Sequence, residues 1–303
     1  MSSRRLTRLA RQEEKYMYLF ISPWLIGFIL FVGGPIVASL FFSFCNYDVV
    51  RPPIWTGLRN YLQLVADPLF WQSLKVTALY SIVSVPLNLM VSLAIAILLN
   101  QNVQGLTVFR TIFYMPSVIS GVAVSLLWMW IFNPEFGIFN SLLWQVFHIQ
   151  GPGWIMSEKW VLPAFIIMGL WGIGGGIVIY LAGLQGIPTE LYEAAEIDGA
   201  NPWYRFWRIT LPMMSPVIFF NLIMGIISSF QIFTQAYVMT GGGPHYASLF
   251  YVLYVYRNAF SYFNMGYASA LSWILFLIIL GLTLIVFKSS PLWVHYEGTS
   301  RGR

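Results

Sequence analysis

The sequence predicts an all-α polytopic membrane protein with six transmembrane helices, and three observations predict it. Of 303 residues, 58% are hydrophobic and 9% charged, against roughly 25% charged in a soluble domain. Six stretches, at about 17–45, 76–99, 111–132, 161–185, 213–236 and 266–287, are mainly apolar, each long enough for the ~20 residues that cross the hydrocarbon core. No Asp or Glu falls between Asp198 and Glu297, and none lies deep inside a span. Water alone could not solvate so much apolar surface, so lipid is part of this chain's solvent.

The elements follow in order. A basic tail, 1–16, precedes a membrane domain, 17–288, and a short tail, 289–303. The first apolar run is too long for a signal peptide's core and lacks a small-x-small cleavage site, which reads as a retained first helix. Six spans put both termini on one side. With the N-terminus in the cytoplasm, inner segments hold eleven Lys or Arg residues and outer segments hold five (Arg51, Arg59, Lys75, Lys159 and Arg257), so positive charge places both termini inside. The basic tail then fixes topology and touches anionic lipid, with no nucleic-acid role.

Between the spans, "NPEFGIFNSLLWQVF" (133–147) reads as an outer interfacial helix, and the aromatic segment 245–262 as a similar one. Both are expected to face an external protein partner. Pro35, Pro86 and Pro116 fall in spans, where they are expected to kink helices. Cys45 stands alone, and His148, His245 and His295 are scattered without metal-ligand spacing, so neither metal nor disulfide is expected.

What the spans lack bears on mechanism. Proton-coupled carriers use buried ionisable side chains as relays, and none is present here. Sodium coupling through carbonyls and hydroxyls stays open, but the absence points to energy supplied from outside the membrane. The chain has no G-x-x-x-x-G-K-[ST] loop. The cluster "GIGGGI" (172–177) sits inside span four without a lysine and reads as close helix packing or room for a ligand.

The acids concentrate instead in "ELYEAAEIDGANPWYRFWRITLP" (190–212). Pro188 and Thr189 can open a helix whose early acids suit its positive N-terminal end. Gly199 supplies a left-handed stop. Asn201 can cap a second helix with Pro202 at its first position, and Pro212 would end that helix at the membrane surface. The result is a bent cytoplasmic knob, small-faced at Ala194 and Ala195 and acidic beside them. It is either a solvated loop or a docking element.

"EAAEIDGA", followed by Ile209, Leu211 and Pro212, resembles the EAA motif of binding-protein-dependent ABC importer permeases. "LAGLQGIPTELYEAA" (181–195), "MTGGGP" (239–244) and "NMGYASALSWILF" (264–276) are similar to its carbohydrate-uptake branch, and "SFQIFTQAYVMTGGGP" (229–244) to the first subunit of the maltose type. The likeness runs from about 18 to 288, without the large periplasmic insertion and extra N-terminal helices of the enterobacterial maltose subunit. The resemblance implies a type I permease fold with a cytoplasmic coupling helix in the inner membrane. It further implies a homologous second permease subunit, two ATPase subunits that bind ATP and Mg²⁺, and an extracytoplasmic solute-binding protein. This chain itself would be no enzyme and hold no cofactor. Carried over, Glu193 would make the ionic contact with an ATPase, Ala194 and Ala195 the close-approach surface, Asp198 a helix-end cap and Gly199 the bend.

A neutral sugar is held by hydrogen bonds and apolar faces. Span five offers Asn221, Ser228, Ser229, Gln231 and Ile232, and span four offers Trp171 beside Gly172 and Gly175, near positions that line the cavity in maltose-type permeases. Serine in a span also serves helix–helix bonding and Trp also anchors at interfaces, so the residues alone leave both roles open. An importer for a glycerol phosphoester is the nearest alternative, disfavoured by the lack of central Arg or Lys. A stand-alone carrier is a more distant one.

Overall fold

A computed structural model describes residues 8–101 and 104–295. Among the described residues, four helices, or up to six spans if each bent pair counts as one, are long and apolar enough to cross a membrane. The chain divides into two units, one comprising residues up to Ala66 with Arg257–Trp273, the other Asp67–Tyr256 with the chain from Ile274 onward.

In the first unit, α1 (Arg8–Phe28) and α2 (Gly34–Ser43) are joined by a π turn at Ile29–Gly33. The turn has a cause in Pro35. A proline inside a helix removes one N–H and clashes with the carbonyl four residues back, and a widened turn relieves both faults. A two-residue hairpin, β1 (Cys45–Asn46) with β2 (Ile54–Trp55), and α3 (Arg59–Ala66) follow. Asn60 ties them together, its Nδ2 donating to the carbonyls of Ser43 and Cys45 at 2.9 Å each. A Cβ on Gly266 would fall 2.1 Å from the Cys45 carbonyl, so only glycine fits that crossing.

The second unit is built on α4 (Pro68–Leu99), a continuous helix of 32 residues. It begins eight residues before the expected start. Asp67 caps it, its carboxylate accepting from Leu69 N–H at 2.9 Å, and Pro68 takes the first turn. Lys75, expected in an outer loop, therefore lies within the helix, and Pro86 lies in its uninterrupted interior. The third span is broken: α5 (Leu106–Tyr114) ends in a 3-10 turn, Met115–Val118, and meets α6 (Gly121–Ile131) at 102°, with Pro116 in the turn. α7 (Ile138–Phe147) is a short apolar helix. The fourth span bends by 47° between α8 (Val161–Trp171) and α9 (Gly174–Gln185), at Gly172 and Ile173.

Next come α10 (Thr189–Ile197), α11 (Pro202–Arg205), a π turn at Phe206–Thr210, α12 (Leu211–Met213), α13 (Ser215–Phe230) and α14 (Thr234–Met239). Pro212 does not end the second knob helix as expected. It enters the next helical turn because the π turn ahead of it opens the ladder, and Leu211 N–H bonds back to Phe206. α15 (Tyr251–Tyr256) corrects a further expectation. Leu249, Phe250, Tyr251 and Leu253 are fully buried, so this aromatic stretch is core and not an interfacial helix. Tyr251 N–H donates to Thr77 of α4, and the Tyr254 phenol donates to Asp67. Burial, with the Tyr254 phenol beside it, pushes the Tyr251 phenol far above its ordinary range, which keeps it neutral. α16 (Met265–Trp293) is the last helix among the described residues.

Candidate functional site: a polar cavity and an acidic loop

Two features of the second unit carry chemistry. The first is a cavity of about 680 Å³ walled by α4, α8, α9 and α13, within the range of small-molecule sites. Its lining contains no Asp, Glu, Lys, Arg or His. Of the residues singled out from the sequence, Trp171, Gly172, Asn221, Ser228, Ser229 and Ile232 line it. Gly175 and Gln231 do not. Gly176 takes the first place, where a Cβ would stand 3.3 Å from Ser92 Oγ, whereas Gly175 faces open space. Gln235 takes the second, because α13 stops at Phe230 and α14 restarts at Thr234, which shifts the helical phase.

The sequence reasoning missed the wall supplied by α4. Tyr80, Ser84, Asn88 and Ser92 recur every four residues and all line the cavity, as residues one turn apart on a helix must share a face. That spacing was readable in the sequence. Asn88 Nδ2 donates to Ser84 Oγ at 3.2 Å, but Asn88 Oδ1 finds no partner among the described residues, and neither does the hydroxyl of Tyr180. Buried polar atoms without partners are uncommon. On α13, Asn221 Nδ2 and the hydroxyls of Ser228 and Ser229 donate to carbonyls of their own helix at 2.9, 3.1 and 2.9 Å. The two serines thus spend their O–H on the helix and keep an accepting oxygen, while Asn221 keeps its Oδ1 and one N–H, so with the Tyr180 hydroxyl and Gln235 the lining offers both acceptors and donors.

The second feature is the acidic loop. α10 ends in a Schellman arrangement: Gly199 has φ +74°, its N–H bonds to Glu196 at 3.0 Å, and Ala200 N–H bonds to Ala195 at 2.8 Å. Asp198 occupies the C-cap position. Asn201 caps α11, accepting from Tyr204 N–H at 2.7 Å. Glu190, Glu193, Ala194 and Ile197 are exposed at helical spacing and form one outward face, on which Ile197 is 87% exposed. Ala195 is half-buried, one turn from Tyr192 on the inward face. Glu196 pairs with Arg205 at 3.2 Å, while Glu193 has no ion pair among the described residues. Ile197 was not singled out from the sequence, and it completes the outward face beside Glu193.

Known proteins place this geometry. Residues 89–289 match the family model of the binding-protein-dependent transport system inner membrane component. The chain is 45% identical over 295 residues to the probable ABC transporter permease protein YesP of Bacillus subtilis, covering 96% of this chain and 95% of that one. It is 34% identical to the trehalose/maltose transport system permease protein MalF of Thermococcus litoralis, covering 95% and 98%. A solved bacterial ABC transporter involved in import of the acidic polysaccharide alginate has the same fold, with TM-score 0.82 at 23% identity over 94% of this chain and 99% of that one. The helical membrane fold, the expected motif and two thirds of the chain agree: this protein belongs to the family of inner membrane components of binding-protein-dependent transport systems.

Proposed function

We propose that this chain is the permease subunit of an ATP-driven ABC importer that passes a neutral sugar or oligosaccharide across the cytoplasmic membrane by alternating access. The observation that carries the reading is the uncharged cavity, lined by polar groups that both donate and accept hydrogen bonds. A polyol's hydroxyls both donate and accept and its rings have apolar faces, which suit the Asn88 oxygen, the Tyr180 hydroxyl and the indole of Trp171. A phosphoester would need a cationic wall. Membership of the family, and the trehalose/maltose name of one relative, support the same substrate class.

The acidic loop supplies the coupling. The outward face of Glu193, Ala194 and Ile197 suits insertion into a cleft of an ATPase subunit, with Glu193 as its ionic contact and Gly199 fixing the bend. The chain has no ATPase site of its own and leaves ATP and Mg²⁺ to two ATPase subunits. A second permease subunit and an extracytoplasmic binding protein complete the assembly, with both termini in the cytoplasm. Reconstitution with the products of neighbouring reading frames tests the reading. Uptake of the sugar held by the binding protein should require ATP and stop with vanadate. Uptake indifferent to both would overturn it.

A further inference from the structure

The first helix of the coupling loop, α10, is fastened to the segment that leads into span five at two points of different character. Near the solvent, Arg205 Nη1 donates to Glu196 Oε2 at 3.2 Å, and the Glu196 side chain is 73% exposed. Deeper in, the hydroxyls of Tyr192 and Thr210 share a hydrogen bond of 2.9 Å, and Thr210 is buried. The Tyr192 ring also packs, with Ile209 and Met213, against a core formed by Ala96, Leu99, Tyr180 and Met214. An exposed ion pair exchanges readily with water, whereas a part-buried bond backed by ring packing holds its geometry better.

The position of the deeper bond matters more than its strength. Along the chain, α10 reaches α13 through Gly199 and then through the π turn at Phe206–Thr210, with Pro212 just beyond. A π turn ahead of a proline is the weakest part of a helical ladder. A displacement of α10 passed along the backbone alone would be absorbed there. Thr210 is the last residue of the π turn, so a link from Tyr192 to Thr210 bypasses the soft joint. We propose that Tyr192 and Thr210 are the positioning pair that makes α10 and α13 move as one body when the ATPase closes. The proposal rests on the coupling role given to the loop above.

Distance measurement on the assembled transporter tests it. In a Cys45→Ser background, spin labels go on Leu191, exposed beside the outward face of α10, and on Ile223 of α13, which is half-buried and outside the cavity lining. With Tyr192 and Thr210 intact, the separation should be the same in the nucleotide-free state and after trapping with Mg-ATP and vanadate. Tyr192→Phe and Thr210→Val keep the packing and remove the bond. Each should make the separation shift on trapping, and the double variant should shift no further than either single one. Thr210→Ser, which keeps the hydroxyl, should restore the constant separation. A separation that stays constant in Tyr192→Phe and Thr210→Val, or that changes on trapping in the unsubstituted pair, overturns the proposal. Failure of the ATPase subunits to co-purify with the unsubstituted chain would instead overturn the coupling role of the loop.

Discussion

The acidic loop and the cavity satisfy their polar groups in opposite ways. In the loop, the bend between α10 and α11 is closed within a few residues: Gly199 and Ala200 N–H return to Glu196 and Ala195, and Asn201 accepts from Tyr204 N–H. In the cavity, Asn88 Oδ1 and the Tyr180 hydroxyl are left without a partner, on walls drawn from helices far apart in sequence. The loop is therefore a finished shape offered to another protein. The cavity is an unfinished one, completed by something that brings both hydrogen-bond donors and acceptors.

Substitutions can break that contrast. The largest effect is expected for Gly199→Pro, because proline holds φ near −65° where the loop needs +74°, and it removes the N–H given to Glu196. Uptake and co-purification of the ATPase should both be lost, while immunoblots show normal membrane insertion. Gly199→Ala has space and retains the N–H, so it should cost about 1–2 kcal/mol of loop stability and weaken co-purification without abolishing it.

Filling the cavity should separate the two regions. Gly176→Leu would press on Ser92 and Asn221, and should abolish uptake while the ATPase still co-purifies. Tyr180→Phe removes an unpartnered hydroxyl, so thermal stability should hold or rise, while Asn88→Leu removes the unpartnered Oδ1 together with the Nδ2 bond to Ser84 and should change stability little. The KM for uptake should increase about tenfold for each, as loss of one hydrogen bond to substrate costs ~1 kcal/mol or slightly more. A KM unchanged in both would place the substrate elsewhere. The smallest effect is expected for Glu196→Gln. An exposed ion pair contributes at most about 1 kcal/mol, and uptake should change by less than about twofold.

The same contrast explains what could be read from the sequence. The loop's caps and stop are local, and Gly199, Asn201 and Pro202 announced them. The start of α4 was also written locally, in Asp67-Pro68, but an apolar span and the helix that carries it need not begin at the same residue. On the cavity, spans four and five were legible as polar and small residues in apolar runs. Gly175 and Gln231 fall outside the lining because of breaks at Gly172–Ile173 and after Phe230, which rotate one half-helix against the next and depend on tertiary packing. The burial of Leu249–Tyr251 was not legible for the same reason. An aromatic run between spans has one composition whether it meets a lipid headgroup or the side of α4, and only Thr77 and Asp67, far away in sequence, decide between them.

The π turn at Phe206–Thr210 also has a bearing on how such chains vary. It holds one more residue than an α turn, and each residue of a helix advances the azimuth by about 100°. The bearing that Asn221 and Ser228 take toward the cavity is thus partly dialled in outside it, by the count of residues between Arg205 and Leu211. Deleting a single residue there would leave every pore side chain in place in the sequence while turning that wall away from its solute.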